Sequence, residues 1–279
     1  MARSPQQIFK SGGLLLLLAS LFASPSQAQT PVDLELALAV DVSRSIDSAE
    51  AQLQREGYIQ AFRDPEVINA IETGMLGRIA VGYYEWAGLL QAHIVVGWTL
   101  IEDTASAHAF ADALGRSVPL SASRTSVSGA IEFARPWFDN NGFEGTRRVV
   151  DVSGDGPNNW GELVTIARDR TVAAGVTING LPILDTGGGA FSRFNIADLD
   201  LYYRDCVIGG TGAFLVVAAD FADFARAVRR KLVLEIAGLQ PPSLARRLSG
   251  PITVQADGQA RIGPPCNIGE MMWQNRDGF

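Results

Sequence analysis

Short apolar runs of strand length take turns with longer stretches of helical periodicity from Leu34 to Ile236, and this alternation constrains the fold most. Leu34–Val40 reads as a buried strand. Ser48–Phe62 reads as a helix, with Asp47 or Ser48 as its N-cap. Strands are expected at Arg78–Trp86 and His93–Trp98, and their short connection predicts an antiparallel hairpin at a sheet edge. Helices are expected at Thr104–Gly115 and Val127–Phe138, with a polar loop from Val118 to Thr125 between them. Arg148–Ser153 is a strand, Trp160–Ala174 a helix ending at Gly175, and Val176–Ile183 a strand. Ala213–Ala218 is a further strand and Phe221–Ile236 a helix. Strands alternating with helices predict an α/β, doubly wound fold. Its sheet is mostly parallel, with one antiparallel edge strand and helices on both faces.

Such sheets bind ligands beyond the carboxyl ends of their strands. Asp41 follows the first strand and Asp155 follows the Arg148–Ser153 strand, so both fall on that edge. In Asp41-Val42-Ser43-Arg44-Ser45 the acid and the two hydroxyls alternate, and in extended backbone every second side chain points the same way. Thr125 adds a hydroxyl from a second loop. Asp155, in Ser153-Gly154-Asp155-Gly156-Pro157, adds a second carboxylate. Two carboxylates and three neutral hydroxyls form a hard-oxygen donor set suited to Mg²⁺ or Ca²⁺. Hydroxyl and carboxylate ligands also admit Mn²⁺. Glu85, Trp86, Asn158 and Asp185 fall near the same edge and are candidates for a partner-binding rim. Asn158 and Asn159 read equally as braces of the third loop or as turn residues.

These three segments, in this order, resemble the metal-ion-dependent adhesion site of von Willebrand factor A-type (vWA) domains. That family's pattern is Asp-x-Ser-x-Ser after the first strand, a Thr opening a helix, and Asp-Gly in a third loop. Here the pattern is carried by Asp41, Ser43, Ser45, Thr125 and Asp155-Gly156, within residues 32–238. The resemblance implies a six-stranded, mostly parallel sheet. It implies one bound divalent cation whose open position takes a Glu or Asp carboxylate from a partner protein. It therefore implies a binding protein rather than an enzyme, of the exported bacterial kind.

Other chemistries are less well supplied. The alternative is a metal-dependent hydrolase of phosphoesters or peptides using the same site. A haloacid-dehalogenase-type phosphatase needs a second Asp where Ser43 stands. Asp185-Thr186-Gly187 has the look of an aspartic-protease signature, but that chemistry needs two such acids and one copy is present. The chain has two His, at 93 and 108, neither on the candidate edge. The Gly-rich runs at 187–189 and 209–212 lack the Gly-Lys-Ser/Thr of a phosphate loop.

Residues 1–28 have the form of a signal peptide: basic Arg3 and Lys10, apolar Leu14–Ala23, and small residues before a cut after Ala28. A membrane anchor is the other reading of that segment. No later stretch is long and apolar enough for a transmembrane helix. The expected location is the periplasm or outside the cell. The net charge is −7, which disfavours nucleic acid as a partner. Two Cys, 206 and 266, read as a disulfide in an exported chain, or as two unrelated buried thiols. With two His besides, they are too few for a zinc cage. Residues 239–279 break the alternation and are expected to form a C-terminal tail packed on the domain through Cys266. One strand is expected in that tail, at Ile252–Ala256.

Overall fold

The structure, a computed structural model, describes residue 1 and residues 29–184, 196–239 and 261–274. The expected signal segment, Asp185 and the strand at Ile252–Ala256 lie outside the described residues.

The main sheet is built from β2 (Leu34–Asp41), β3 (Ile79–Trp86), β4 (Ala92–Ile101), β6 (Arg148–Gly154) and β7 (Thr177–Pro182), in the order β4-β3-β2-β6-β7. A two-stranded parallel pair, β1 (Thr30–Val32) with β5 (Phe143–Gly145), stands beside it. The β2–β3, β2–β6 and β6–β7 pairs are parallel, and β4 runs antiparallel to β3 at one edge. The expected mostly parallel sheet with an antiparallel edge strand is therefore present.

Alternation along β2 separates two cores. Leu34, Leu36, Leu38 and Val40 face one, with residues of α1 (Ser48–Ala61), α2 (Pro65–Glu72), α3 (Thr104–Gly115) and α7 (Phe224–Ile236). Ala37 and Ala39 face the other, with residues of α4 (Val127–Trp137) and α5 (Val164–Ala173). Both faces of the sheet are thus covered, as a parallel sheet requires. Helix starts follow local capping chemistry. Asp47 accepts the Ala49 and Glu50 N–H groups while Glu50 returns to the Asp47 N–H, a capping box. Asp103 does the same with Ser106 at α3.

Three expectations need correction. The first is the strand at Ala213–Ala218, which forms only the isolated parallel bridges Gly180↔Leu215 and Ile183↔Ala218. Gly180 N–H donates to Phe214 O at 3.1 Å, and Val216 N–H to Gly180 O at 3.1 Å. Two residues on, Pro182 has no N–H to continue the ladder, although its carbonyl still accepts from Ala218 N–H at 3.0 Å. The sheet therefore has five strands among the described residues rather than the six that the vWA resemblance implies.

The second concerns helix starts. The helix expected from Trp160 begins at Val164, and the one expected from Phe221 begins at Phe224. The third is omission. α2 is an unanticipated helix that starts on an Asp64 cap with Pro65 in its first turn. A short α6 (Leu199–Tyr202), a π-turn (Tyr203–Val207) and a C-terminal α8 (Ile268–Gln274) were likewise not expected.

Cys206 and Cys266 form a disulfide. Among the described residues, no helix is long and apolar enough to cross a membrane.

Candidate functional site

The chain turns to opposite sides of β2 when it places β3 and β6. This makes the carboxyl ends of β2 and β6 the switch point of the sheet, the place where open α/β sheets bind ligands. Asp41 ends β2 and Asp155 follows β6, one on each side of it.

Local geometry shapes the first loop. The Asp41 carboxylate accepts the Ser43 N–H through Oδ1 at 2.7 Å, which turns the chain directly after the strand. Ser43 then bridges to Ala122, drawing the 122–125 loop alongside. The five residues converge: Ser43 Oγ lies 3.0 Å from Ser45 Oγ. Ser45 Oγ donates to Asp155 Oδ1 at 2.8 Å, and Thr125 Oγ1 donates to Ser43 Oγ at 3.4 Å. Asp41, Ser43, Thr125 and Asp155 are buried, and Ser45 and Arg44 lie on the outer side of the cluster.

The electrostatics are unbalanced at Asp41. Its carboxyl is wholly buried and sits well above the usual aspartate range, first because of burial and then because of the charge of Asp155. The Ser43 hydrogen bonds offset part of that. Asp41 Oδ2 has no hydrogen-bond partner, and Asp41 makes no salt bridge among the described residues. A buried ionised carboxylate without a counter-charge costs several kcal/mol or takes up a proton. Gly154 leaves the room beside it: a Cβ there would lie 2.9 Å from Asp41 Oδ2 and 2.9 Å from the Tyr203 hydroxyl. An orphaned buried oxygen, oxygen-only donors and a cradle without a side chain together fit a small hard cation. Among the described residues, no group of three or more His, Cys, Asp or Glu gathers as a metal cluster, so the acids here are two and the other donors are hydroxyls.

The rim candidates divide differently from expectation. Glu85 is buried and holds Arg55, and its other oxygen accepts the Leu120 N–H at 3.0 Å. It is a brace under the 117–120 loop, not a rim residue. Trp86 is 1% exposed, and it lines a cavity of 270 Å³ with Leu89, Leu90 and Phe133. Asn158 is fully buried. Its Oδ1 accepts the Ser128 N–H at 2.9 Å, and its Nδ2 donates to Glu162 O at 3.0 Å. Asn159 Oδ1 accepts the Thr125 N–H at 3.0 Å, and its own N–H returns to Thr125 O at 2.9 Å. The two asparagines splice the Asp155 loop to the Thr125 loop. The strand ends at 85–86 and the polar pair at 158–159 pointed to the right edge of the sheet but not to the inward direction of these side chains.

Sequence reasoning missed three other contributors. Gln54 on α1 donates to Asp41 O at 3.2 Å. Tyr202 accepts the Asn158 N–H at 3.1 Å. Tyr203 brings a buried hydroxyl toward Gly154, and its ionisation is pushed well up by burial and then by the nearby Asp41 charge. No local pattern marks Tyr202 or Tyr203, because α6 and the π-turn that follows it, far along the chain, carry them there. Of the histidines, His93 is exposed on β4 and His108 lies on α3.

Comparison with known proteins follows the geometry. The chain is similar to proximal thread matrix protein 1 of the mussel byssus at 15% identity, over 75% of this chain and 49% of that one, with a TM-score of 0.55. It thus spans about half the length of that protein. A further structure of the mussel protein, described as having a zinc-occupied MIDAS motif, aligns at 16% identity over 74% of this chain and 46% of that one, with a TM-score of 0.50. The pilus adhesin SpaC from Lactobacillus rhamnosus GG aligns in its open conformation at 12% identity, over 76% and 30% of the two chains, with a TM-score of 0.51. These likenesses show the fold, a vWA-like α/β arrangement, as the sheet order does. No curated protein matches the chain. Residues 31–240 match a family described as "Protein of unknown function (DUF1194)", and the chain belongs to that family.

Proposed function

We propose that this chain is a vWA-type binding domain that holds one divalent cation, Mg²⁺, Mn²⁺ or Ca²⁺, through Asp41, Ser43, Ser45, Thr125 and Asp155. The cation serves to bind a Glu or Asp carboxylate on a partner protein. The observation that carries this reading is Asp41: a fully buried carboxylate with an unpartnered oxygen, set among hydroxyls and a second acid. A bound dication would supply the missing positive charge and an electrophilic position for an incoming carboxylate. Asp41 and Asp155 would provide the anionic ligands, and Ser43, Ser45 and Thr125 neutral ones. Asn158 and Asn159 would hold the two loops in register, and Gln54 would fix the end of β2. The Cys206–Cys266 disulfide supports an oxidising compartment, the periplasm or the cell exterior.

The test is thermal unfolding of the chain in EDTA and in excess Mg²⁺ or Mn²⁺. At a cation concentration about 100-fold above Kd, binding adds about 2.7 kcal/mol of stability. Melting should rise with the metal in wild type and stay flat in Asp41→Ala. A wild-type melting temperature indifferent to every divalent cation rejects the site. If the site holds, affinity capture from periplasmic extract should retain a partner with metal and release it in EDTA.

A further inference from the structure

The segment 261–274 belongs to no part of the family match, which ends at residue 240, yet it reaches the candidate site at several points. Arg261 pairs with Asp198 and Asp200, and Cys266 bonds to Cys206 in the π-turn. The segment is thereby fastened to α6 and the π-turn, which carry Tyr202 and Tyr203. Beyond the disulfide, α8 lies directly on the third loop. Gly269 packs so closely that a Cβ there would fall 2.0 Å from Asn158 O. Glu270 Oε1 accepts a hydrogen bond from Asn158 Nδ2 at 2.7 Å.

A second contact reaches the neighbouring loop. Arg124 has its guanidinium over the Trp273 ring at 4.1 Å from the centroid and over the Trp160 ring at 3.9 Å. The cation is stacked between one indole of the tail and one of the third loop. Arg124 itself adopts φ +76, a left-handed conformation that costs a side-chain-bearing residue energy. The next residue is Thr125. The backbone turn that presents Thr125 is thus held by a stack that the tail completes. Through Asn158 and Asn159 on one side and Arg124 on the other, the tail touches both loops that carry Thr125 and Asp155.

We propose that residues 261–274 are a positioning element of the candidate cation site, and that the Cys206–Cys266 disulfide couples the site's affinity to the redox state of its surroundings. Oxidised, the tail keeps Asn158 and Arg124 in place and the donor oxygens converge. Reduced, with both thiols free, the tail loses its covalent tether and the Thr125 loop loses one side of its support. The proposal rests on the cation-binding reading above.

Calorimetric titration of the whole chain with Mn²⁺ alone tests it, on oxidised wild type, wild type reduced with a phosphine, Glu270→Ala and Glu270→Gln. Loss of a group that orients a metal ligand weakens affinity by about 10- to 100-fold. Glu270→Ala and the reduced wild type should both show a drop of that order. Glu270→Gln keeps an acceptor oxygen for Asn158 and should restore affinity to near wild type. A general loss of packing would not be rescued so selectively. Circular dichroism in EDTA identifies any sample that has unfolded; unfolding of the reduced chain makes the disulfide a fold-wide staple and overturns the redox coupling, and the Glu270→Ala and Glu270→Gln pair then decides the positioning role. Wild-type affinity in Glu270→Ala overturns the positioning role. Wild-type affinity in a folded, reduced chain overturns the redox coupling. Absence of Mn²⁺ uptake by oxidised wild type is a separate result, and it overturns the cation site itself.

Discussion

Asp151 and Asp155 lie on the same stretch of chain, the first inside β6 and the second in the loop that leaves it, and each is buried near another acid. Around Asp151 the chain supplies its own cation. Lys231 of α7 is fully buried, 2.7 Å from Asp151 Oδ2 and 3.2 Å from Glu235 Oε2. Asn179 Nδ2 donates to Glu235 Oε1 at 2.6 Å and completes the network. At the sheet edge the arrangement is different. Asp41 is as deeply buried as Asp151, but its neighbours are hydroxyls, Asp155 and Tyr203, and among the described residues no Lys or Arg forms a salt bridge with it. One carboxylate cluster is closed by a lysine. The other leaves a buried oxygen of Asp41 without a partner.

The sharpest way to break this comparison is to remove the internal cation. Lys231→Met strands two buried acids and should cost about 3–5 kcal/mol in urea unfolding. A loss under about 1 kcal/mol would mean that Lys231 does not neutralise the network. The second test is pH. Burial, then Glu235 against the pull of Lys231, pushes the Asp151 carboxyl from 3.8 up to about 7. The folded chain therefore holds a proton that the unfolded chain has released between about pH 4 and pH 7. Stability falls as pH rises through that window, and the loss is complete above it. Asp151→Asn, measured in EDTA, should shrink that fall by on the order of 4 kcal/mol. An unchanged pH profile would exclude Asp151 as its source. The third effect is the smallest. Asp41→Asn keeps an acceptor for the Ser43 N–H and removes repulsion from Asp155. In EDTA it should change stability by less than about 1 kcal/mol, while abolishing any rise with Mg²⁺. A large loss in EDTA would make Asp41 a structural residue like Asp151.

The alternation of patterns made the sheet legible before any coordinates. The antiparallel edge pair was legible from the short connection between its strands, and α3 occurs over the residues expected. The grouping of Asp41, Ser43 and Ser45 was readable because alternation after a strand end is a local geometric rule, and Asp155 was readable from its place after a parallel strand at the same sheet edge. What escaped reading depends on long-range contact. Asn158 and Asn159 look like turn residues until the Thr125 and Ser128 backbone N–H groups arrive to use them. Glu85 looks like a strand-end acid until Arg55, on α1, turns it inward. Tyr203 becomes a neighbour of Asp41 only once the π-turn docks. α2 did carry a signal, an Asp64 cap before Pro65, but its short length hid it beside the long α1. The interrupted segment at 213–218 was read as a strand because its residues are strand-like; the break lies in the partner, at Pro182.

That proline has a consequence for how the molecule breathes. A segment joined to β7 through a ladder with a missing rung can part from the sheet by local opening, without cooperative unfolding of the whole. The amides of Val216 and Ala218 then meet solvent protons long before those of Leu36–Ala39, which are gripped by strands on both sides. The segment leads into α7, so the helix that carries the core's internal counter-ion, Lys231, follows an interrupted ladder at this margin of the sheet.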